Sequence, residues 1–152
     1  MLPQANDDGV LAKDHFGRLF VFGADDELGS QQHQLLRLRR NGVVDRRFGE
    51  GGSITLSDED WGTSWTLAVD DRSRPILAYK GAGKQQKLVL ERRWRDGEID
   101  HRFGNGGRTA TGFPGRIEPR QVLVGGSGKI LVAGTFYAGN RFGVGLARYL
   151  AG

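Results

Sequence analysis

The chain has 152 residues, 38 % of them hydrophobic, and a formal net charge of +4. That length and apolar share suit one domain with its own core and exclude a disordered or low-complexity chain. With no cysteine, disulfides, thiolate chemistry and cysteine-ligated zinc are excluded together. Glycine is abundant, at 25 residues, which suits many tight turns and not long helices. Basic side chains comprise 17 Arg and 5 Lys. Arginine favours forked contacts to carboxylates or phosphates, but at this modest net charge solvated faces and internal Arg–carboxylate pairs are expected ahead of a polyanion partner. No apolar run is long enough for a spanning helix, so no membrane partner is expected. Residues 1–30 show no basic segment followed by an apolar one, so no signal peptide is expected. The compartment is left open.

Taken in chain order, short apolar runs alternate with turn signals. Val10-Leu11-Ala12 and the run from Gly17 to Phe22 read as a hairpin, followed by a strand from Leu35 to Arg39. The turn-rich segment 37–52 comes next, carrying Asn41-Gly42, Asp45, Phe48-Gly49 and Gly51-Gly52. Strands are then expected at 53–56, 65–70, 74–79 and 87–94. The segment 92–107 repeats the turn signals at an offset of 55 residues, as Asp96-Gly97, Asp100, Phe103-Gly104 and Gly106-Gly107. A third copy runs through Gln121–Val124, Gly128–Ala133 and Phe142–Tyr149, where Leu146-Ala147-Arg148-Tyr149 matches Leu35-Leu36-Arg37-Leu38. Residues 31–40 could pass as a helix, but their alignment with 87–95 argues for strand. The expected fold is all-β: a β-propeller-like repeat array of about three blades, each of three to four antiparallel strands. The repeat frame gives one domain, 1–152, with units at about 10–52, 53–107 and 108–152, the last incomplete.

These residues resemble the delta-60 repeat family of bacterial proteins. Its unit is similar to Gly128-Lys129-Ile130-Leu131-Val132-Ala133-Gly134, then Gly145-Leu146-Ala147-Arg148-Tyr149, then the stretch from Asp96 to Gly107. The resemblance covers about 10–149 and implies a β-propeller-like fold, allows export, and lends almost no chemistry. The chain departs from the pattern at Arg46, Arg47, Arg95 and Arg102, and at Arg74-Pro75, where the unit has Gly-Lys. Proline removes a ladder donor, so Pro75 is expected at a strand start or an edge.

The recurring turn residues Gly42, Asp45, Phe48, Gly49, Gly51, Gly52, Gly97, Asp100, Phe103, Gly104, Gly106 and Gly107 read as structural. Asn41-Gly42 and Asp96-Gly97 fit type I′ hairpins, Asp45 and Asp100 fit Asx-turns, and Phe48 and Phe103 fit plugs between adjacent blades. Each unit offers only one such Asp, too few for a calcium loop. Gly125-Gly126-Ser127-Gly128-Lys129 lacks the flanking Gly and Ser/Thr of a phosphate loop and reads as a hairpin turn. His15, His33 and His101 share no metal-ligand spacing. No catalytic residue, metal or cofactor is therefore expected. Trp65 and Trp94 fall on expected strands and read as core. Trp61, in an expected loop beside Asp58, Glu59 and Asp60, is the best ligand contact, with Asp58 and Asp60 beside it.

The expected function is a non-enzymatic β-propeller-type binding or scaffold module for a protein or glycan partner. The alternatives are an enzyme with a site at the propeller axis, or Arg-mediated polyanion binding, with nucleic acid less favoured. Three blades leave an open ring, because propellers close with roughly 4–8. A homo-oligomer is therefore expected, two copies closing a six-bladed ring with 10–23 of one beside 142–149 of the other; membership of a larger propeller is the other explanation.

Overall fold

The computed structural model describes residues 9–25, 32–56, 61–81 and 86–150. Those residues form eleven strands and no helix: β1 (Val10–Lys13), β2 (Leu19–Asp25), β3 (Gln32–Leu38), β4 (Ser53–Leu56), β5 (Trp61–Val69), β6 (Pro75–Gly81), β7 (Leu88–Arg92), β8 (Arg108–Thr111), β9 (Arg116–Val124), β10 (Lys129–Ala138) and β11 (Arg141–Leu150). They make three antiparallel sheets in chain order, β1-β2-β3-β4, β5-β6-β7-β8 and β9-β10-β11. The ambiguous stretch near residue 35 is strand β3. Its side chains alternate in burial, as period-two patterning requires.

The sheets stack face to face in sequence order. Phe20, Phe22, Leu35 and Phe48 meet Leu67, Leu77 and Tyr79 between the first and second sheets. Ile76, Ala78, Leu90 and Phe103 meet Ile117, Val122, Ile130 and Val132 between the second and third. The middle sheet is therefore apolar on both faces, and β6 is buried at every position. The leading strands lie side by side, β1 against β5 and β5 against β9. Pro75 opens β6, where its missing N–H breaks no ladder.

Two expectations are corrected. The repeat frame puts the strand at 53–56 at the start of the second unit, but Leu35 pairs with Ile54 and Leu36 with Ser53, so β4 closes the first sheet. Likewise β8 closes the second, with Leu90 opposite Thr109. The chain reverses at Gly51-Gly52 and Gly106-Gly107 and returns along the strand it has just left. Hydrogen-bonded sheets are thus offset by one short strand from the units marked by sequence. The turns at Asn41-Gly42 and Asp96-Gly97 are not type I′, because φ is positive at Gly42 and Gly97 alone and not at Asn41 or Asp96. The Arg39 N–H donates to the Val43 carbonyl and the Gly42 N–H to the Arg39 carbonyl. This is a three-residue loop, a type I turn followed by one left-handed residue.

Candidate functional site

Among the described residues the same loop occurs five times, and all five lie at one end of the stacked sheets. At Asp14–Arg18, Asp70–Arg74 and Gly125–Lys129 the first residue's N–H donates to the last residue's carbonyl. The left-handed positions are Gly17, Ser73 and Gly128. In the first two loops the leading Asp organises the turn. Asp14 Oδ1 accepts from the N–H groups of Phe16 and Arg18, at 3.0 and 2.9 Å. Asp14 Oδ2 is 2.7 Å from Arg18 Nε. Asp70 repeats this with Arg72 and Arg74, the Nε again at 2.7 Å. Burial pushes the Asp14 carboxyl up, but hydrogen bonds from Arg18 and its positive charge outweigh that and leave it below the ordinary value.

A second set of carboxylates is paired deeper. Asp45 Oδ2 lies 2.9 Å from Arg37, and Asp100 Oδ2 lies 2.7 Å from Arg92 Nε and 3.3 Å from Arg74. The N–H of Arg47 donates to Asp45 and that of Arg102 to Asp100, closing Asx-turns. Burial pulls both Arg37 and Arg92 below the ordinary arginine value. The nearby charge of Arg74 lowers Arg92 further, while Asp45 and Asp100 act in the opposite sense. The guanidiniums also lie over aromatic rings, Arg37 4.9 Å from the Phe48 centroid and Arg92 4.6 Å from Phe103. Glu91, fully buried, takes Arg93 at 2.6 Å and Arg108 at 2.8 Å. Sequence reading assigns the aspartates their turn role and expects internal Arg–carboxylate pairs, but does not name Arg37 and Arg92 as the partners. The signal was present: Arg37 and Arg92 recur at the same 55-residue offset as Asp45 and Asp100.

The ligand candidates are not brought together. Asp58 and Asp60 lie outside the described residues. Trp61 is not in a loop: it opens β5 and pairs with Gly81, ahead of a register shift before Trp65. That bulge lengthens the strand beyond the expected 65–70 and draws Trp61 into the ladder. Trp65 packs edge-on to Phe22 and His33, at 5.7 and 4.6 Å. Trp94 lies outside β7, at the base of the loop closed by its N–H and the Glu98 carbonyl, with Arg74 5.7 Å from its ring. His15 and His101 are exposed, and no group of three potential metal ligands occurs among the described residues.

The turn end does hold an open cleft of about 510 Å³ between the first two sheets, lined by His15, Phe16, Arg18, Asp71, Arg72, Ser73 and Arg95. Among the described residues no ion pair engages the Arg72 or Arg95 side chains. The cleft therefore offers two uncommitted guanidiniums, an imidazole and the exposed Phe16 ring, a chemistry suited to planar or anionic groups. No described helix is long and apolar enough to cross a membrane. No family model matches the chain, and no curated protein matches it as a relative.

Proposed function

We propose that this chain is a non-enzymatic β-propeller-type module that holds a protein or glycan partner at the loops on its sheet ends. One observation carries the reading: the recurring turn carboxylates Asp14, Asp45, Asp70 and Asp100 are each engaged by an arginine and by backbone N–H groups. A carboxylate so held builds a turn; it is not placed to move a proton for a substrate. Three stacked antiparallel sheets with adjacent leading strands supply the scaffold, and the resemblance to delta-60 repeats points the same way. Binding of the chain to a panel of immobilised glycans tests this, with Ala at Trp61, Asp58 and Asp60 as the variant. Retained folding with lost glycan binding supports a partner contact at residues 58–61. Turnover of chromogenic ester or glycoside substrates by the purified chain favours an enzyme and overturns it.

The cleft favours a second reading, in which His15, Arg72 and Arg95 take an anionic group. Phosphate or sulfate contacts made by arginine weaken steeply with salt. Retention on a heparin column at low salt, lost with Arg72→Ala and Arg95→Ala together, is the expected result. A chain that passes unretained disposes of this reading.

A further inference from the structure

We propose that the outward face of the third sheet docks on the outward face of the first sheet in a second copy of this chain, head to tail. The argument starts from register. In each sheet the first three strands place one side chain each in a row. Facing the next sheet, the rows are Ala12–Phe20–Arg37 and Ala68–Ile76–Arg92, and in the third sheet Leu123–Leu131–Arg148. Phe20 and Ile76 are 0 % and 1 % exposed, whereas Leu131 is 38 % exposed. Leu35 and Leu90, one step along the same faces, are fully buried, and their counterpart Leu146 is 62 % exposed. Phe142, Val144 and Leu150 continue that open apolar face.

The opposite faces show the reciprocal pattern. The rows that receive a preceding sheet are Leu67–Leu77 and Val122–Val132, all buried. Their counterpart in the first sheet is Leu11–Val21, with Leu11 63 % exposed. The chain thus carries both halves of an interface that it already forms twice within itself. A contiguous apolar face of this kind marks a contact site, and a head-to-tail contact generates a ring when its rotation closes. The occupant is therefore a second copy, and its place is set by register. Arg37 donates to the Arg95 carbonyl at the turn of the next unit. Arg148, the counterpart of Arg37, would in the same way reach the Arg40 carbonyl of the second copy. Six sheets is the only multiple of three among propellers of roughly 4–8 blades. The closed ring rests on the propeller reading above; the interface does not.

Light scattering with two variants tests both. The expected mass is twice the 16.7 kDa chain, unchanged on concentration. Leu11→Arg and Leu146→Arg alter side chains exposed in the single chain, so each folds, and each gives a monomer. An equimolar mixture of the two regains a dimer, because one of its two interfaces joins an unaltered first sheet to an unaltered third. A native chain that stays monomeric at micromolar concentration assigns these faces to another partner and overturns the proposal, as do variants that still dimerise. Growth into larger assemblies with concentration keeps the interface but overturns the ring, and the propeller reading with it.

Discussion

Arg92 Nε sits 2.7 Å from Asp100 Oδ2, the two side chains 1 % and 0 % exposed. For a pair so completely withdrawn from water the solvation lost by each ion offsets much or all of the mutual attraction, so its worth is seen chiefly when one partner is removed. Here the pair also ties β7 to the turn that follows it, since Asp100 holds the Arg102 N–H with its other oxygen.

Asp100→Ala leaves Arg92 charged and buried, with Arg74 close by. The expected loss is about 3–5 kcal/mol of stability, read as a lower urea midpoint. Arg92→Met combined with Asp100→Leu removes both charges and is expected to regain most of that loss. A double variant no more stable than Asp100→Ala would show that the turn hydrogen bonds, and not the ion pair, hold this region.

The repeated Phe-Gly-x-Gly-Gly turn distinguishes its glycines. At Gly104 φ is +55° and a Cβ would stand 2.1 Å from the Arg108 carbonyl oxygen, whereas at Gly106 φ is +63° with nothing within 4 Å. Gly106→Ala is expected to cost about 1 kcal/mol through its left-handed backbone alone. Gly104→Ala must also displace β8 and is expected to cost about 3 kcal/mol or more. Thermal unfolding gives the order, and equal melting temperatures for the two variants would contradict it.

How much of this was legible in the sequence follows from the range of each interaction. Turns closed within five residues announce themselves locally, so Asp45, Phe48 and Gly49 could be found from their recurrence. The loop type could not: Asn41-Gly42 fits two turns, and one extra loop residue with the Asn41 side chain bonded to the Val43 N–H selects the second. The sheet boundary was illegible too, because Ser53–Leu56 has strand character whichever neighbour it joins. The backbone reversal at Gly51-Gly52 makes that choice. Arg37 and Asp45 lie eight residues apart across a hairpin, and only their joint recurrence hinted at contact. The ligand loop at 58–60 had no recurrence to support it, and Trp61 was misplaced because a bulge extends β5 past the expected strand.

The Asp14–Arg18 contact gives acid sensitivity a definite sign. The folded pKa of Asp14 is depressed, so its contribution is fully present above the unfolded value of about 3.9 and is lost as pH falls through the folded value. Asp14→Asn is expected to be less stable than the native chain near neutrality, with the difference shrinking between about pH 5 and pH 2. Urea titrations at several pH values measure it. A difference that stays constant over that range would assign the loss to the turn geometry alone.

Ser73 is the residue that breaks the pattern of its own repeat. Gly17 and Gly128 occupy the same left-handed position, at φ +80° and +73°, and Ser73 adopts φ +59° there despite its Cβ. Its hydroxyl is buried beside the Asp14 carboxylate, which it helps to hold below the ordinary value. A non-glycine residue held in this region stores roughly 1–3 kcal/mol of strain. Glycine relieves the strain but adds freedom to the unfolded chain worth about 0.4–1 kcal/mol. Ser73→Gly is therefore expected to stabilise the fold by about 1 kcal/mol, inside the net of about 0–2.6 kcal/mol that those two ranges span. The reverse change, Gly17→Ser, should cost a similar amount, since a Cβ at Gly17 meets the Arg40 side chain at an unforced 3.4 Å. Urea midpoints for the native chain and both variants decide the matter. Stabilisation by Ser73→Gly with loss at Gly17→Ser fits a turn governed by backbone conformation, whereas a destabilised Ser73→Gly would mean that the buried hydroxyl contributes more than the strain.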